Sequence, residues 1–363
     1  MTDVPVPDVS PDANAGAKSA AKPTFSHDTV LLYETVAAVL GKKSLAEADS
    51  NNKNQDAKPS GSASSDNHSG IYVDATFGRG GHSKLLLEQL SDDATLFVFD
   101  KDPEAIEVAN AMAADDKRLQ VIHDSFANMT QCLAEKGVTQ VDGIMADLGV
   151  SSPQLDDGSR GFSFMRDGAI DMRMDTSRGQ SVGEWLETVD EETLANVLYD
   201  FGEERHSRRI ARAIKQMPRY TSTLELAEVI KQAHPKWQKG KHPATQSFQA
   251  MRIFINNELG DIDSFLQQSL TLLAPQGQLA VISFHSLEDR RIKQFLQRHS
   301  RGQYPEDQDL PMPPVRPRYF SKPKRIAPSK AEVQGNNRSR SAWLRVATRT
   351  DTPYNTDTIQ QHR

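Results

Sequence analysis

One cysteine, Cys132, is all that 363 residues contain. A lone thiol excludes an internal disulfide framework and a cysteine-built zinc centre. It suits a reducing compartment, and a cytoplasmic location is expected. Apolar runs long enough to span a bilayer are missing, so no membrane partner is expected. The start shows no basic segment followed by an apolar one, so no signal peptide is expected either. Positive charge is in short supply: 43 Lys and Arg face 49 Asp and Glu, for a net charge of −6. The whole molecule is therefore no generic polyanion binder. The histidines show no metal-ligand spacing, and no metal is expected. The hydrophobic fraction of 37% is low because long polar segments dilute a normal core.

Against these absences stands one dense stretch, IYVDATFGRGGHS, from Ile71 to Ser83. Ile71 to Val73 read as the end of a buried strand, with Asp74 at its carboxyl end. Gly78, Gly80 and Gly81 follow, and KLLLEQL then reads as a helix. A strand, a glycine turn and a helix open a doubly wound α/β domain. The dinucleotide fingerprint needs glycine at its sixth position, and Ser83 stands there. Asp74 would also repel a pyrophosphate. The turn better suits a cationic or zwitterionic ligand, such as the methionine end of S-adenosylmethionine; a tight turn with no ligand is the plainer alternative.

LFVFD, Leu96 to Asp100, reads as a second strand ending in an acid. Asp100 is placed to take a ribose diol, or to cap the helix that begins at Asp102-Pro103. RLQVIHDSF predicts a third strand, whose loop would edge an adenine through Phe126 and Asp124 unless these serve packing and the turn. VDGIMADLGV predicts a fourth, with Asp147 at its end in the topological switch region. The fifth, Gly277 to Ser286, comes about 130 residues later, after the turn APQG. The intervening pattern is helical, with capping boxes at Ser181/Glu184 and Ser222/Glu225. Phe248 to Leu273 reads as helix, in two pieces near Gly260. Ser339 to Arg349 reads as a final edge strand. Between Met312 and Arg349 stand ten Lys/Arg and one acid, Glu332.

These boundaries predict a disordered tail at 1–26, a first sheet part at 27–153 with a flexible loop at 42–69, a helical insertion at 154–260, a second sheet part at 261–349 and a tail at 350–363.

Six motifs occur together: HDTVLLYETV, DATFGRGGHS, FDKDPEAI, ADLGVSSPQLDDGSRGFSFMRDGAIDMRMD, HPATQSFQAMRIFINNEL and ISFHSLEDR. In this order they resemble the bacterial 16S ribosomal RNA cytosine-N(4) methyltransferase family, RsmH or MraW, from His27 to about Arg349. The resemblance implies a class I (Rossmann-like) methyltransferase sheet with an inserted helical domain and S-adenosyl-L-methionine as cofactor. It implies methylation of the exocyclic amine of a decoding-centre cytidine in 16S rRNA of the small ribosomal subunit. Cofactor contacts carried over by position fall on Gly80, Gly81, His82, Asp100, Phe126, Asp147 and Gln154. A homodimer is an open expectation.

The chemistry needs an acceptor beside a poorly nucleophilic amine. Asp147 is the first candidate, with a turn acid as the alternative. Ser152, within Ser152-Pro153, is the second. The Pro-Pro-aromatic motif of other amine methyltransferases is incomplete here. His285 is a candidate base that would also serve as a helix cap. Phe162 and Phe164 are candidates to stack an extruded base or to fill the insertion's core. RNA contact is expected from Arg160, Arg166 and Arg173, from Arg205, Arg208, Arg209 and Arg212, from Lys239 and Lys241, and from the basic segment. Two other readings remain: an amine methyltransferase for another nucleic acid, such as DNA cytosine, and a ribosome-assembly factor that binds cofactor without turnover.

Overall fold

The computed structural model describes residues 29–42, 68–235, 242–302 and 314–354, with 304, 307 and 310–312 between them. The expected tail at 1–26, most of the loop at 42–69, Lys239, Lys241 and the end of the chain from 355 lie outside the described residues.

Seven strands form one sheet: β1 (Ile71–Asp74), β2 (Thr95–Asp100), β3 (Leu119–His123), β4 (Val141–Asp147), β5 (Leu273–Ser283), β6 (Lys324–Ile326) and β7 (Trp343–Thr348). Their order is β3-β2-β1-β4-β5-β7-β6. The first five are parallel, and β7 runs antiparallel to both β5 and β6. Parallel neighbours need crossovers, supplied among others by α2 (Gly81–Leu87), α3 (Pro103–Asp115) and α4 (Met129–Glu135), while α1 (Leu32–Val39) precedes the sheet. Both faces are therefore covered, and the strands read as near-continuous apolar runs. Side chains alternate between two cores: Val73, Phe97 and Phe99 enter one, Tyr72, Leu96 and Val98 the other. The chain leaves β1 towards β2 on one side, and β4 pairs with β1 on the other. The carboxyl ends of β1 and β4 thus flank the crevice where such sheets bind ligands.

Between β4 and β5 run α5 (Ser152–Asp156), α6 (Val182–Thr188), α7 (Glu191–Gly202), α8 (Ser207–Lys215), α9 (Thr223–Ala233), α10 (Ala244–Ile255) and α11 (Glu258–Leu272). A third core comes wholly from this stretch, including Ile170, Leu186, Leu198, Ile210, Leu226 and Met251. Through Ile262, Phe265 and Leu266, α11 packs into the sheet's own core and returns the chain to it. After β5 come α12 (Ser286–Arg301) and α13 (Lys330–Gly335).

Three expectations are corrected. The helix break lies at Asn256-Asn257, and Gly260 sits inside α11. Asn256 leaves the helical pattern because its amide holds the 172–174 loop, donating to the Met172 carbonyl and accepting from Met174 N, both at 2.7 Å. Next to it, Asn257 takes φ 51°. Strand β5 begins earlier than the APQG turn suggests: Leu273 already pairs with Val141, and the residues before Gln278 loop out beside β4. The last strand, β7, is interior, because the short basic strand β6 covers its outer edge.

Candidate active site

Glycine chemistry shapes the turn after β1. Gly78 takes φ 58° and Gly80 φ 78°, a region that strains other residues. A Cβ on Gly80 would lie 2.7 Å from the Phe77 ring, whereas one on Gly78 would meet nothing within 4 Å. Gly78 borders a cavity of about 430 Å³, within the range of small-ligand sites. The ends of β1, β2 and β4, the loop after β3, and the start of α12 also line it.

Three carboxylates close the sheet end. Asp74 is buried, accepting from Ser83 Oγ at 2.7 Å and Thr76 N at 3.1 Å. Burial outweighs these bonds and pushes its pKa up to about 7. Asp100 accepts from Gly78 N and Asp102 N, each at 2.8 Å, so it ties the glycine turn to the second strand. Burial still raises its pKa. Asp147 is the least partnered. Its Oδ1 is sealed from water and has no hydrogen-bond partner. Burial, then Asp74, then Glu288 raise its pKa well above the usual carboxylate range. His82 supplies no counter-charge, because burial lowers its pKa to about 4. The neutral ring donates Nε2–H to the Val30 carbonyl at 3.1 Å, leaving Nδ1 3.9 Å from Asp147 Oδ2.

Gln154 shares a capping box with Ser151 at the start of α5. Its carboxamide accepts from Ser151 N at 2.9 Å and donates to Asp102 Oδ2 at 2.8 Å. The same Asp102 oxygen takes Arg160 Nη1 at 2.9 Å. Gln154 lines the cavity, yet these side-chain atoms hold its wall together. Phe126 also lines it and meets Phe265 edge-on at 5.4 Å. Ser152 receives the Arg338 guanidinium on its hydroxyl.

His285 opens α12, where Glu288 Oε2 accepts from Phe284 N at 2.8 Å and His285 N at 3.3 Å. The other oxygen lies 3.0 Å from His285 Nε2, but too bent for a hydrogen bond. Burial opposes the Glu288 anion, yet His285, Arg252 and the Phe284 amide outweigh it and hold the pKa low. Glu258, His285 and Glu288 present ligand atoms within 4.8 Å of one another, close enough to hold a metal ion. Arg252 already occupies both Glu258 oxygens at 2.7 and 2.8 Å, so the trio reads as an ion-pair network.

Other expected contacts lie elsewhere among the described residues. Phe162 is buried beside Arg160, whose guanidinium lies 5.8 Å from its ring centroid. Phe164 packs on Phe248 and His242 at 4.9 and 4.6 Å. Arg160 also donates to the Arg173 and Met174 carbonyls at 3.1 Å. Asp171 grips Arg173 at 2.8 and 2.9 Å. Arg166 reaches the Asp156 carbonyl. None of these lines the cavity. Arg252, Glu258 and Arg338 were not singled out individually from the sequence, although Arg252 and Glu258 lie within the motif HPATQSFQAMRIFINNEL and Arg338 within the basic segment.

The strand order, the glycine turn and the acids at the strand ends define a class I, Rossmann-like methyltransferase. The profile of the MraW methylase family matches residues 24–350, and the chain belongs to that family. Its cofactor is S-adenosylmethionine. A protein of Psychrobacter sp. (strain PRwf-1) named "Ribosomal RNA small subunit methyltransferase H" is 80% identical, over 100% of both chains. One of the same name from Acinetobacter baumannii (strain SDF) is 54% identical, over 90% of this chain and 98% of that one. Among solved structures, a putative rRNA-methylase from Clostridium thermocellum aligns at TM-score 0.37 and 14% identity, covering 78% of this chain and 90% of the other. Neither the relatives nor the structure lend support to a homodimer. No helix among the described residues is long and apolar enough to cross a membrane.

Proposed function

We propose that the protein transfers a methyl group from S-adenosylmethionine to the exocyclic N(4) amine of a decoding-centre cytidine in 16S rRNA, by direct in-line displacement. The observation that carries this reading is Asp147, a cavity-lining carboxyl group at the switch point of the sheet whose Oδ1 has no hydrogen-bond donor. The names of the relatives support small-subunit ribosomal RNA as the substrate, and a cytoplasmic place of action is consistent with that substrate.

When bound, the cofactor supplies an electrophilic methyl group on a cationic sulfur. The residues present suit such a group: buried carboxylates at Asp74, Asp100 and Asp147, and a glycine turn with open backbone. Asp100 and Phe126 hold the nucleoside end, and Gly80, Gly81 and His82 shape the amino-acid end. Gln154 braces the wall through Asp102. The amine of cytosine is a weak nucleophile because its lone pair is delocalised into the ring. Asp147 accepts an N–H from that amine, turns the lone pair outward and stands ready for the proton that must leave. Ser152 and His285 stand on the same cavity as lesser candidates to orient the base. The insertion at 154–260 forms the recognition side, with Arg166, Arg173 and Lys241 as its proposed RNA contacts, while Phe162 and Phe164 pack inside it.

The test is methyl transfer from labelled cofactor to small ribosomal subunits that lack this modification, followed by mapping of the modified base. Label on a decoding-centre cytosine at N(4) is expected. Label on another base overturns the site; label only on DNA favours the alternative nucleic acid; cofactor binding without any transfer favours a non-catalytic assembly factor.

A further inference from the structure

Four Lys or Arg side chains line the cavity: Arg79, Lys101, Arg252 and Arg338. Three are committed to carboxylates. Arg79 pairs with Glu104 at 3.1 Å, Lys101 with Asp261, and Arg252 with both oxygens of Glu258. Arg338 is held more loosely. One of its nitrogens rests on a neutral hydroxyl, Ser152 Oγ, and another makes a long ion pair with Asp156 at 3.6 Å. Its side chain is one-third exposed.

Its backbone, by contrast, is fixed. Arg338 belongs to a strap formed by α13 and a 3₁₀ turn at Asn337–Ser341. Ser329 caps the helix and Asn336 caps the turn, accepting from Arg338 N at 3.1 Å. Glu332 Oε1 accepts from Leu31 N at 2.8 Å, which pins the strap to the segment before α1. Asn336, Arg338 and Ser341 then form one wall of the cavity. A positioned backbone thus carries a part-exposed guanidinium across to α5.

The floor of the cavity is acidic, with Asp100, Asp147 and Glu288 all facing it. A nucleotide entering base-first brings a phosphate that the Glu288 anion on this floor repels. The phosphate then sits near the wall, beside the cavity cation whose carboxylate contact is the longest. A guanidinium matches phosphate oxygens in a two-pronged geometry, and it exchanges a neutral hydroxyl for an anion at a gain.

We propose that Arg338 is the substrate-positioning residue that receives the RNA phosphate next to the target nucleotide, a role that rests on the RNA substrate proposed above. On substrate entry it leaves Ser152, and the freed hydroxyl then faces the bound nucleotide.

The experiment compares full-length wild type with Arg338→Ala and Arg338→Lys on unmodified small ribosomal subunits over a series of salt concentrations. Cofactor affinity is measured in parallel by calorimetry. Arg338→Ala is expected to raise KM about 5- to 50-fold and to flatten the slope of log KM against log salt by roughly one charge. Cofactor affinity should stay within about twofold, and Arg338→Lys should restore the salt slope. An unchanged KM and slope overturns the assignment. So does a cofactor affinity that falls in step with KM, since that is what loss of a purely structural latch would do. A wild type that leaves the subunits unmethylated sinks the functional reading itself, and this role with it.

Discussion

Arg160, at the start of the insertion, gives its guanidinium to Asp102 at 2.9 Å and to two carbonyls at 3.1 Å. Arg252 gives its own to both oxygens of Glu258 at 2.7 and 2.8 Å. In the cavity that Arg252 lines, Asp147 Oδ1 is hidden from water and touches no donor. The first set shows how buried charge becomes scaffold: each ion is paired and then hydrogen-bonded again, which offsets its desolvation. The second shows an acceptor held in reserve. An unpaired buried acceptor costs stability, and it persists where a ligand or reacting group completes it.

The largest expected effect tests the reserved acceptor. Asp147→Asn should lower kcat by about 10²- to 10⁴-fold in single-turnover methylation, the usual worth of a positioned acceptor and base. Wild-type turnover would leave the amine contact without foundation. The scaffold comes next. Arg160→Met strands the buried Asp102 carboxylate and should cost about 3–5 kcal/mol in urea unfolding. A loss under about 1 kcal/mol would mean the pair is no scaffold at all.

Asp100→Ala should weaken cofactor binding by about 1–3 kcal/mol in calorimetry, and unchanged affinity would argue against its ribose contact. The smallest effect is on stability against pH. Asp74 has its folded pKa raised from 3.8 to about 7, so the native state favours the protonated acid. Stability from this group is full below its unfolded value and is lost as pH rises through about 7. Asp74→Asn should therefore gain roughly 1–3 kcal/mol on wild type between pH 4 and pH 8, read from thermal unfolding. A difference that is flat with pH would place Asp74 in solvent.

The sheet was legible because parallel strands buried on both faces leave apolar runs ending in acids, as at Asp74, Asp100 and Asp147. The insertion showed through its capping boxes; the Ser181/Glu184 box is present with both bonds formed, and Ser222 caps α9. The helix break at Asn256 was not legible, because the side chain is recruited by Met172 and Met174, 84 and 82 residues away. Strand β6 was missed because three residues, KRI, carry too little pattern to stand out from a basic, proline-rich segment. The fates of Phe162 and Phe164 were ambiguous, since a ring beside glycine suits a core or a base equally well.

By itself the sequence determined the first five strands, the acids that end three of them, the glycine turn and the presence of a helical insertion. These follow from local pattern: side-chain period, turn chemistry and capping. Only the tertiary structure decided which charges are spent and which are left over. That outcome depends on partners more than 50 residues apart, such as Arg160 with Asp102 and Arg338 with Ser152, and on burial that no single segment encodes.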